Sequence, residues 1–239
     1  MSTQVLLTPK VWFGGYDLSA DLSAAAFDGS TPPIDFTNFA SAGNYEGKPG
    51  IRKTAFSMAG FFNAQPTDEQ LQAALSLTAI PASFAPLTGV EGEPAYSMQC
   101  NLATYAPGAP VGEAFKFSAS GDGTGPLVRG TILNNAARIT TGSGTIFQLG
   151  AVGAAQGIYA ALHVVAVAGG TPTLAVILQS ASTGGFGSPT TRLTFTSATG
   201  ITSEWKQALG AITDQYWRLS WTIGGSSPSF TVVDVAGII

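Results

Sequence analysis

Apolar and polar positions alternate with a period of two near the end of the chain. From Tyr216 to Ile223, Trp217, Leu219, Trp221 and Ile223 fall on one side of an extended backbone, and Tyr216, Arg218, Ser220 and Thr222 on the other. That pattern predicts a strand with one packed face. Upstream, Ile158–Ala168 is almost continuously apolar, Gly169-Gly170-Thr171-Pro172 reads as a turn, and Thr173–Ser180 reads as the returning strand. Further strands are expected at Arg192–Ser197 and Phe230–Ala236, and Ile201–Gln207 fits either a strand or a single helical turn. The stretch Ile158–Ile239 reads as scaffold and assembly surface.

The first 150 residues carry the same signature in shorter pieces. Val5–Phe13 reads as a first strand, with Pro9 placing it near an edge or a bulge. Asp17–Ser23 suits a turn or a short edge strand. Phe27–Phe39 contains Asp28-Gly29 and Pro32-Pro33, both loop signals, and Phe36–Ile51 reads as a long loop or extended arm. Arg52–Phe62 returns to strand character. A helix is expected over 67–78, with Thr67 as N-cap, Asp68 and Glu69 in the first turn, and Leu71, Ala74, Leu75 and Thr78 at helical spacing up to Pro81. Ala82–Pro94 reads as loop and Ala95–Tyr105 as strand. Val111–Ser120, with Phe115 and Phe117 on one face, is expected to pair with Leu127–Leu133 as a hairpin around Gly121–Pro126. Thr145–Leu149 adds another strand. About eleven short strands and one helix predict a mainly β fold of two β-sandwich/barrel units with one short helix, divided into 1–150 and 151–239.

Composition sharpens this. Only 10% of the 239 residues are charged, where a soluble domain carries about 25%. A folded chain of this mass exposes roughly 10,000 Å², or roughly 400 Å² for each charged residue. So sparse a surface protects a solitary monomer poorly, and it suggests cover by neighbouring subunits. The net charge is −4, and no run of Lys or Arg exceeds Arg52-Lys53, which argues against a dedicated nucleic-acid binder. Cys100 is the single cysteine, so neither an intramolecular disulfide framework nor a multi-cysteine metal site is expected. The N-terminus lacks a basic segment followed by an apolar one, and the longest apolar run, about eleven residues, falls short of the roughly 20 of a membrane helix.

Candidate chemistry is thin. Gly121-Asp-Gly-Thr-Gly-Pro126 lacks the Gly-Lys-Ser/Thr ending of a phosphate loop and reads as a turn. His163, the only histidine, lies inside an apolar strand with no designated partner, which favours a structural role. Asp17, Asp21, Asp28 and Asp35 do not match a calcium loop. Trp217 and Trp221 read as core, whereas Trp205 and Tyr216 could stack on a sugar ring in a carbohydrate-binding module. No catalytic, cofactor-binding or metal-binding residues are therefore expected, and the chain does not read as an enzyme. In the polar stretch Phe36–Ile51, Phe36, Phe39 and Tyr45 are apolar anchors suited to docking on another subunit.

At this point the chain resembles a known family. Asp35-Phe-Thr-Asn-Phe39, Gly47-Lys-Pro-Gly-Ile-Arg52 and Phe56-Ser-Met-Ala-Gly-Phe-Phe62 are similar to the strand–long loop–strand module of phage tail tube (major tail) proteins. The following helix at Thr67–Leu77 and the strands through Arg129-Gly-Thr-Ile132 keep the same order. The stretch from Ala160-Ala-Leu-His163 to Pro228-Ser-Phe-Thr-Val232 resembles virion structural proteins of tailed phages. The resemblance implies a virion tail tube subunit assembled in the host cytoplasm, with no membrane partner. Its strands would build an inner barrel, and its rings of three or six chains would stack into a conduit that DNA crosses without specific binding. The implied inter-subunit residues are Phe36, Phe39, Tyr45, Glu46, Lys48, Ile51 and Arg52, with other tail proteins as further partners. Residues 151–239 exceed the smallest members and would be a second tube-like unit or an outer decoration. A capsid decoration or other virion structural protein is the alternative.

Overall fold

In the computed structural model, which describes residues 8–42 and 44–239, the strand β1 (Lys10–Phe13) turns Val11 and Phe13 into one apolar core and Trp12 into another. A strand buried on both faces belongs inside the fold, and the rest of the chain is arranged around it. The other elements follow in order: β2 (Tyr16–Asp17), β3 (Leu22–Ser30), β4 (Pro33–Asp35), β5 (Gly47–Pro49), β6 (Lys53–Phe61), α1 (Glu69–Ala74), β7 (Ile80–Ala85), β8 (Pro94–Gly108), β9 (Lys116–Gly123) and β10 (Val128–Arg138). Then come β11 (Gly142–Ser143), β12 (Phe147–Gln148), β13 (Gly157–Ala181), β14 (Thr190–Thr194), β15 (Thr202–Leu209) and β16 (Tyr216–Ile238). The chain is mainly β, with one large antiparallel sheet and a separate small ribbon, β4–β5.

The first core lies between two layers. One is β3-β6-β9 with the C-terminal half of β8; the other is β2-β1-β7 with the N-terminal half of β8. Alternate residues Phe56, Met58, Phe117 and Ala119 of the first layer meet Val11, Phe13, Ile80, Ala82, Met98 and Cys100 of the second. Helix α1 adds Leu71 and Ala74 to this core. The Cys100 thiol is fully buried, which pushes its pKa up to about 12 and makes it inert.

Several expectations need correction here. Leu127–Leu133 does not pair back on Val111–Ser120: β9 and β10 lie end to end along the same edge of β8, with Lys116 opposite Gly108 and Val128 opposite Ser97. Because β8 is long enough to hold both, the Gly-rich turn only steps the chain sideways. Ala82–Pro94 is not all loop, since β7 is a buried strand between β1 and β8. Pro81, its second residue, lies beyond the end of the β1 register, and Pro86 follows the strand. Asp28-Gly29 lies within strand β3, not in a loop. The helix is six residues long rather than spanning 67–78. The Thr67 hydroxyl, expected to cap it, donates to the Asp21 carboxylate. The strand expected at Val5–Phe13 is observed at Lys10–Phe13, and residues 5–7 lie outside the described residues.

The largest correction concerns Gly169–Pro172. No reversal occurs there. β13 runs on for 25 residues and pairs antiparallel with the 23-residue β16 from Ile158 opposite Ile238 to Ala181 opposite Tyr216. Gly169 (φ 114°) and Thr171 (φ 46°) of β13 are matched on β16 by Gly225 (φ 114°) and Ser227 (φ 46°), with Gly170 opposite Ser226. Each irregularity ends in proline, Pro172 or Pro228. The sequence signal was of a broken backbone, and two breaks side by side bend a ribbon instead of ending it. Both halves of the bent ribbon then bury one face in a shared second core. Ile158, Ala160, Leu162, Val164 and Val232 come from one half, and Leu174, Val176, Leu178, Trp217, Leu219 and Trp221 from the other. The indoles of Trp217 and Trp221 donate to the carbonyls of Gly150 and Thr140, both at 2.9 Å, so each large ring is buried with its polar atom satisfied.

The other face of the ribbon's first half meets Trp12, Ala85, Ala95 and Ile132 through Val233 and Val235. His163, opposite Val233, reaches Ser83 on this side, its Nε2 lying 3.0 Å from the Ser83 hydroxyl. Asp234, opposite Leu162, sits one residue along and therefore on the opposite face. Both are fully buried, and His163 Nδ1 and both Asp234 carboxyl oxygens have no hydrogen-bond partner among the described residues. Burial alone pushes His163 down to about 3 and Asp234 up to about 8. At neutral pH both are therefore uncharged in the folded chain.

Two predictions follow from the ribbon. An alanine Cβ at Gly169 would lie 2.7 Å from the Ser227 carbonyl oxygen, and one at Gly225 2.8 Å from that of Thr171. At φ 114° L side chains are also strained, so Gly169→Ala or Gly225→Ala is expected to cost about 1–3 kcal/mol each in urea unfolding. The second prediction is a pH profile. Asp234 holds a proton in the folded state that the unfolded chain releases above its ordinary value of 3.8, so its contribution to stability falls as pH rises toward about 8. His163 takes a proton in the unfolded state first, so its contribution falls as pH drops below its ordinary 6.5 toward about 3. Each involves one proton, so the two slopes cancel from about pH 4.5 to 6.5, and stability declines from pH 6.5 to 8. Asp234→Asn should reverse this, giving stability that rises from pH 4.5 to 6.5 and is level above.

Candidate inter-subunit surface

Beyond Ser30 and Lys53, the last paired residues of β3 and β6, the chain projects as an arm. It is not the open loop that its Pro, Gly and Asn content suggested. Pro33, Ile34 and Asp35 pair with Pro49, Lys48 and Gly47. Gly50 N–H donates to the Pro32 carbonyl at 2.9 Å, and Phe36 N–H to that of Glu46 at 2.8 Å. Nearer the tip, the Asn38 side chain accepts from Ala40 N–H at 2.8 Å, while Asn38 N–H donates to the Ser41 hydroxyl at 3.0 Å, the reciprocal pattern of a capping box. The Thr37 hydroxyl and amide hold the Asp35 carboxyl below its usual range. Local polar side chains thus stand in for absent tertiary contacts and stiffen the arm.

Its apolar groups face outward. Ile34, Phe36, Phe39, Tyr45 and Ile51 are all exposed, Phe39 at 110% and Ile51 at 82%. The Lys48 ammonium lies 4.9 Å from the Phe36 ring centroid, and Glu46 and Arg52 are exposed as well. All seven residues singled out in the sequence therefore lie on the arm or at its base, on exposed positions. Five large apolar groups on one projection form the kind of patch that marks an interaction site.

The four-stranded layer behind the arm has two further properties. Its outward face is neutral over two cross-strand rows, Ala26–Ser57–Ser120–Thr104 and Ala24–Ala59–Ser118–Ala106. The Thr104 and Ser120 hydroxyls hydrogen-bond at 2.7 Å. Charges flank the rows: Asp28 and Asp122 on the arm side, Lys116 at the far end. Moreover, both edges of the layer are open. Among the described residues β3 pairs with β6 alone, and from Leu102 to Gly108 β8 pairs with β9 alone. The Tyr105 hydroxyl donates to Asp68 at 2.6 Å, which ties the approach to α1 to the second edge.

At the end of the layer opposite the arm, the turn 109–115 leaves Val111 exposed at 107%, with Phe115 at 45% and Phe61 at 51% beside it. Phe62 and Phe115 pack at 4.5 Å between ring centroids, and Phe62 N–H donates to the Phe115 carbonyl at 2.9 Å. Sequence reasoning placed Phe115 and Phe117 on one face of a strand spanning Val111–Ser120. Only Phe117 is buried, because the strand starts at Lys116. The signal for this was present in Pro110 and Gly112, which extend the turn. Trp205 is half-buried and packs on Tyr159 at 5.9 Å between ring centroids, and Tyr216 is half-buried.

No family model matches the chain, and no curated protein matches it. Solved structures that the chain matches include a chain of the virion of the native gene transfer agent particle (16% identity, TM-score 0.40, 50% of this chain and 94% of that one). The SPP1 Dit protein, described as a hub adsorption apparatus of phages infecting Gram-positive hosts, matches at 15% identity and TM-score 0.38 over 98% of this chain and 100% of its own. The SPP1 tail tube matches at 13% identity and TM-score 0.41 over 50% of this chain and 75% of its own.

Proposed function

We propose that the chain is a structural subunit of a phage tail, of the tail tube kind, that closes into rings and stacks into a conduit. One observation carries this reading: a four-stranded layer with a neutral outer face and two open edges bears a stiff, apolar-tipped arm at one end. Open edges invite pairing with another strand. β3 and β8 lie on opposite sides of the same layer, so β3 of one copy pairs with β8 of the next in a head-to-tail contact that repeats around a ring. Closure removes every open edge of the layer and turns its neutral face to the lumen, where few cations would retain phosphates.

Strand spacing bears on the copy number. Where each copy gives only this layer to the ring, three copies would close twelve strands, between the ~8-stranded barrels that side chains fill and the ~16–18-stranded barrels that hold a channel. Six copies close 24 strands, with a perimeter of at least ~115 Å at ~4.8 Å per strand and a backbone diameter of at least ~37 Å. Only the larger ring leaves room for a duplex, so the reading is six copies, with residues 151–239 as a unit outside the inner layer. Phe36, Phe39, Tyr45, Glu46, Lys48, Ile51 and Arg52 then bridge one ring to the next.

Replacing residues 36–46 with an Asn-Gly turn keeps the β4–β5 ribbon short and the sandwich intact. By electron microscopy the wild-type chain is expected to give tubes at high concentration, and the shortened chain single rings. Monodisperse wild-type monomers under all conditions would overturn the proposal.

A further inference from the structure

We infer that the cleft between strand β15 and the turn joining β9 to β10 binds a neutral saccharide, with one hexopyranose unit stacked on Trp205; this site is independent of the tube reading above. The cleft holds about 490 Å³, within the range of small-molecule sites. One wall is Gln99 with turn residues 124–126, and the other is Trp205, Lys206 and Gln207. β15 runs antiparallel to β13, with Trp205 opposite Ala161 and Gln207 opposite Tyr159. Alternate residues of a strand share a face, so the indole and the Gln207 amide project to the same side as Tyr159. A helical turn over Ile201–Gln207, the other form that the sequence allows, would turn them apart.

The indole is positioned before any ligand arrives. Its ring packs on Tyr159 at 5.9 Å between centroids, with 43° between the planes, and it stays half-buried rather than sealed in a core. Trp217 and Trp221 differ: both are buried, and each N–H is spent on a backbone carbonyl. Among the described residues the Trp205 N–H has no acceptor, and the Gln99 and Gln207 amides have no partner either. An aromatic face beside unpaired amides suits a sugar. The C–H groups of a pyranose ring lie on the aromatic face, while its hydroxyls both donate and accept, and an amide answers in both senses. Charge favours a neutral one. The Lys206 ammonium lies 2.8 Å from the Glu204 carboxylate, so its charge is already matched. No carboxylate lines the cleft. The pair of acids that glycoside hydrolysis needs is therefore missing, and the site binds rather than cleaves.

The experiment is saturation-transfer NMR of the whole chain with the methyl glycosides of glucose, galactose, mannose and N-acetylglucosamine, beside an array of immobilised neutral and acidic oligosaccharides. At least one neutral hexoside is expected to receive saturation, strongest on the C–H groups of one ring face. Trp205→Ala should abolish it, and Trp205→Phe, which keeps an aromatic face, should retain it. Gln99→Ala with Gln207→Ala should weaken array binding about tenfold through the lost hydrogen bonds. Tyr216→Ala, outside the cleft, should change nothing. Melting temperatures show which variants fold, and the double amide variant decides the matter if loss of the Trp205 ring disturbs folding. Binding confined to acidic glycans, binding that survives both Trp205→Ala and the double amide variant, or no binding to any saccharide overturns the site. None of these results bears on tube formation, which electron microscopy scores separately.

Discussion

Every backbone N–H and C=O along a strand must hydrogen-bond to a neighbouring strand or stay in water, and in this chain that requirement decides where everything else goes. β8 shows it directly. It is 15 residues long, and β7, β9 and β10 divide its two edges between them. β7 and β10 occupy the N-terminal half from both sides, which fixes it inside the fold. The C-terminal half has β9 on one side only. The open stretch from Leu102 to Gly108 is thus produced by the same strand that supplies Met98 and Cys100 to the first core and packs Ala95 with Trp12. Pro107 near its end limits what can pair there, as prolines on edge strands do.

Much of this was legible in the residues. Alternation at Trp217, Leu219 and Trp221 placed those side chains in a core, where they are. The apolar run around His163 pointed to a structural histidine, and its ring is buried against Ser83. The exposed anchors Phe36, Phe39 and Tyr45 stood out because nothing around them could form a core. Pairing was not legible. Gly169-Gly-Thr-Pro172 carries the signs of a reversal, and the matching signs at Gly225-Ser-Ser-Pro228 became meaningful only once the two were seen side by side. Ile80–Ala85 was hidden by Pro81 within it, Pro86 after it and its small side chains, and β3 by Asp28-Gly29. Local residue preference reports whether the backbone is regular. It does not report which strand lies opposite, and in a β fold that decides the architecture.

The buried ionisable groups fit the same logic. Asp234 and His163 are adjacent in space but belong to different faces of one ribbon, so neither can neutralise the other. Each is held uncharged by its own core. Ser83 completes a serine–histidine pair, but all of it is buried and the imidazole is held far below neutrality, so it has neither access to a substrate nor the basicity of a general base. The polar interior costs stability and sits away from the arm and the open edges.

The routing of the second half of the chain explains how those edges stay open. β10 leaves β8 and pairs along its other edge with β16, from Thr131 opposite Ala236 to Arg138 opposite Phe230. β16 in turn carries the whole of β13. The second core is therefore attached to the layer that contains β1 and β7, and none of its strands pairs with β3 or with the C-terminal half of β8. The bend at Gly169 and Gly225 matters for the same reason. A straight ribbon of 23 residues would extend about 75 Å. Folding it in two keeps its apolar faces against each other and confines the second core to one side. The sparse charge of the chain then has a structural account: two cores absorb the apolar residues of the second half, and the neutral rows on β3, β6, β9 and β8 are left as a face that neither binds charge nor needs it.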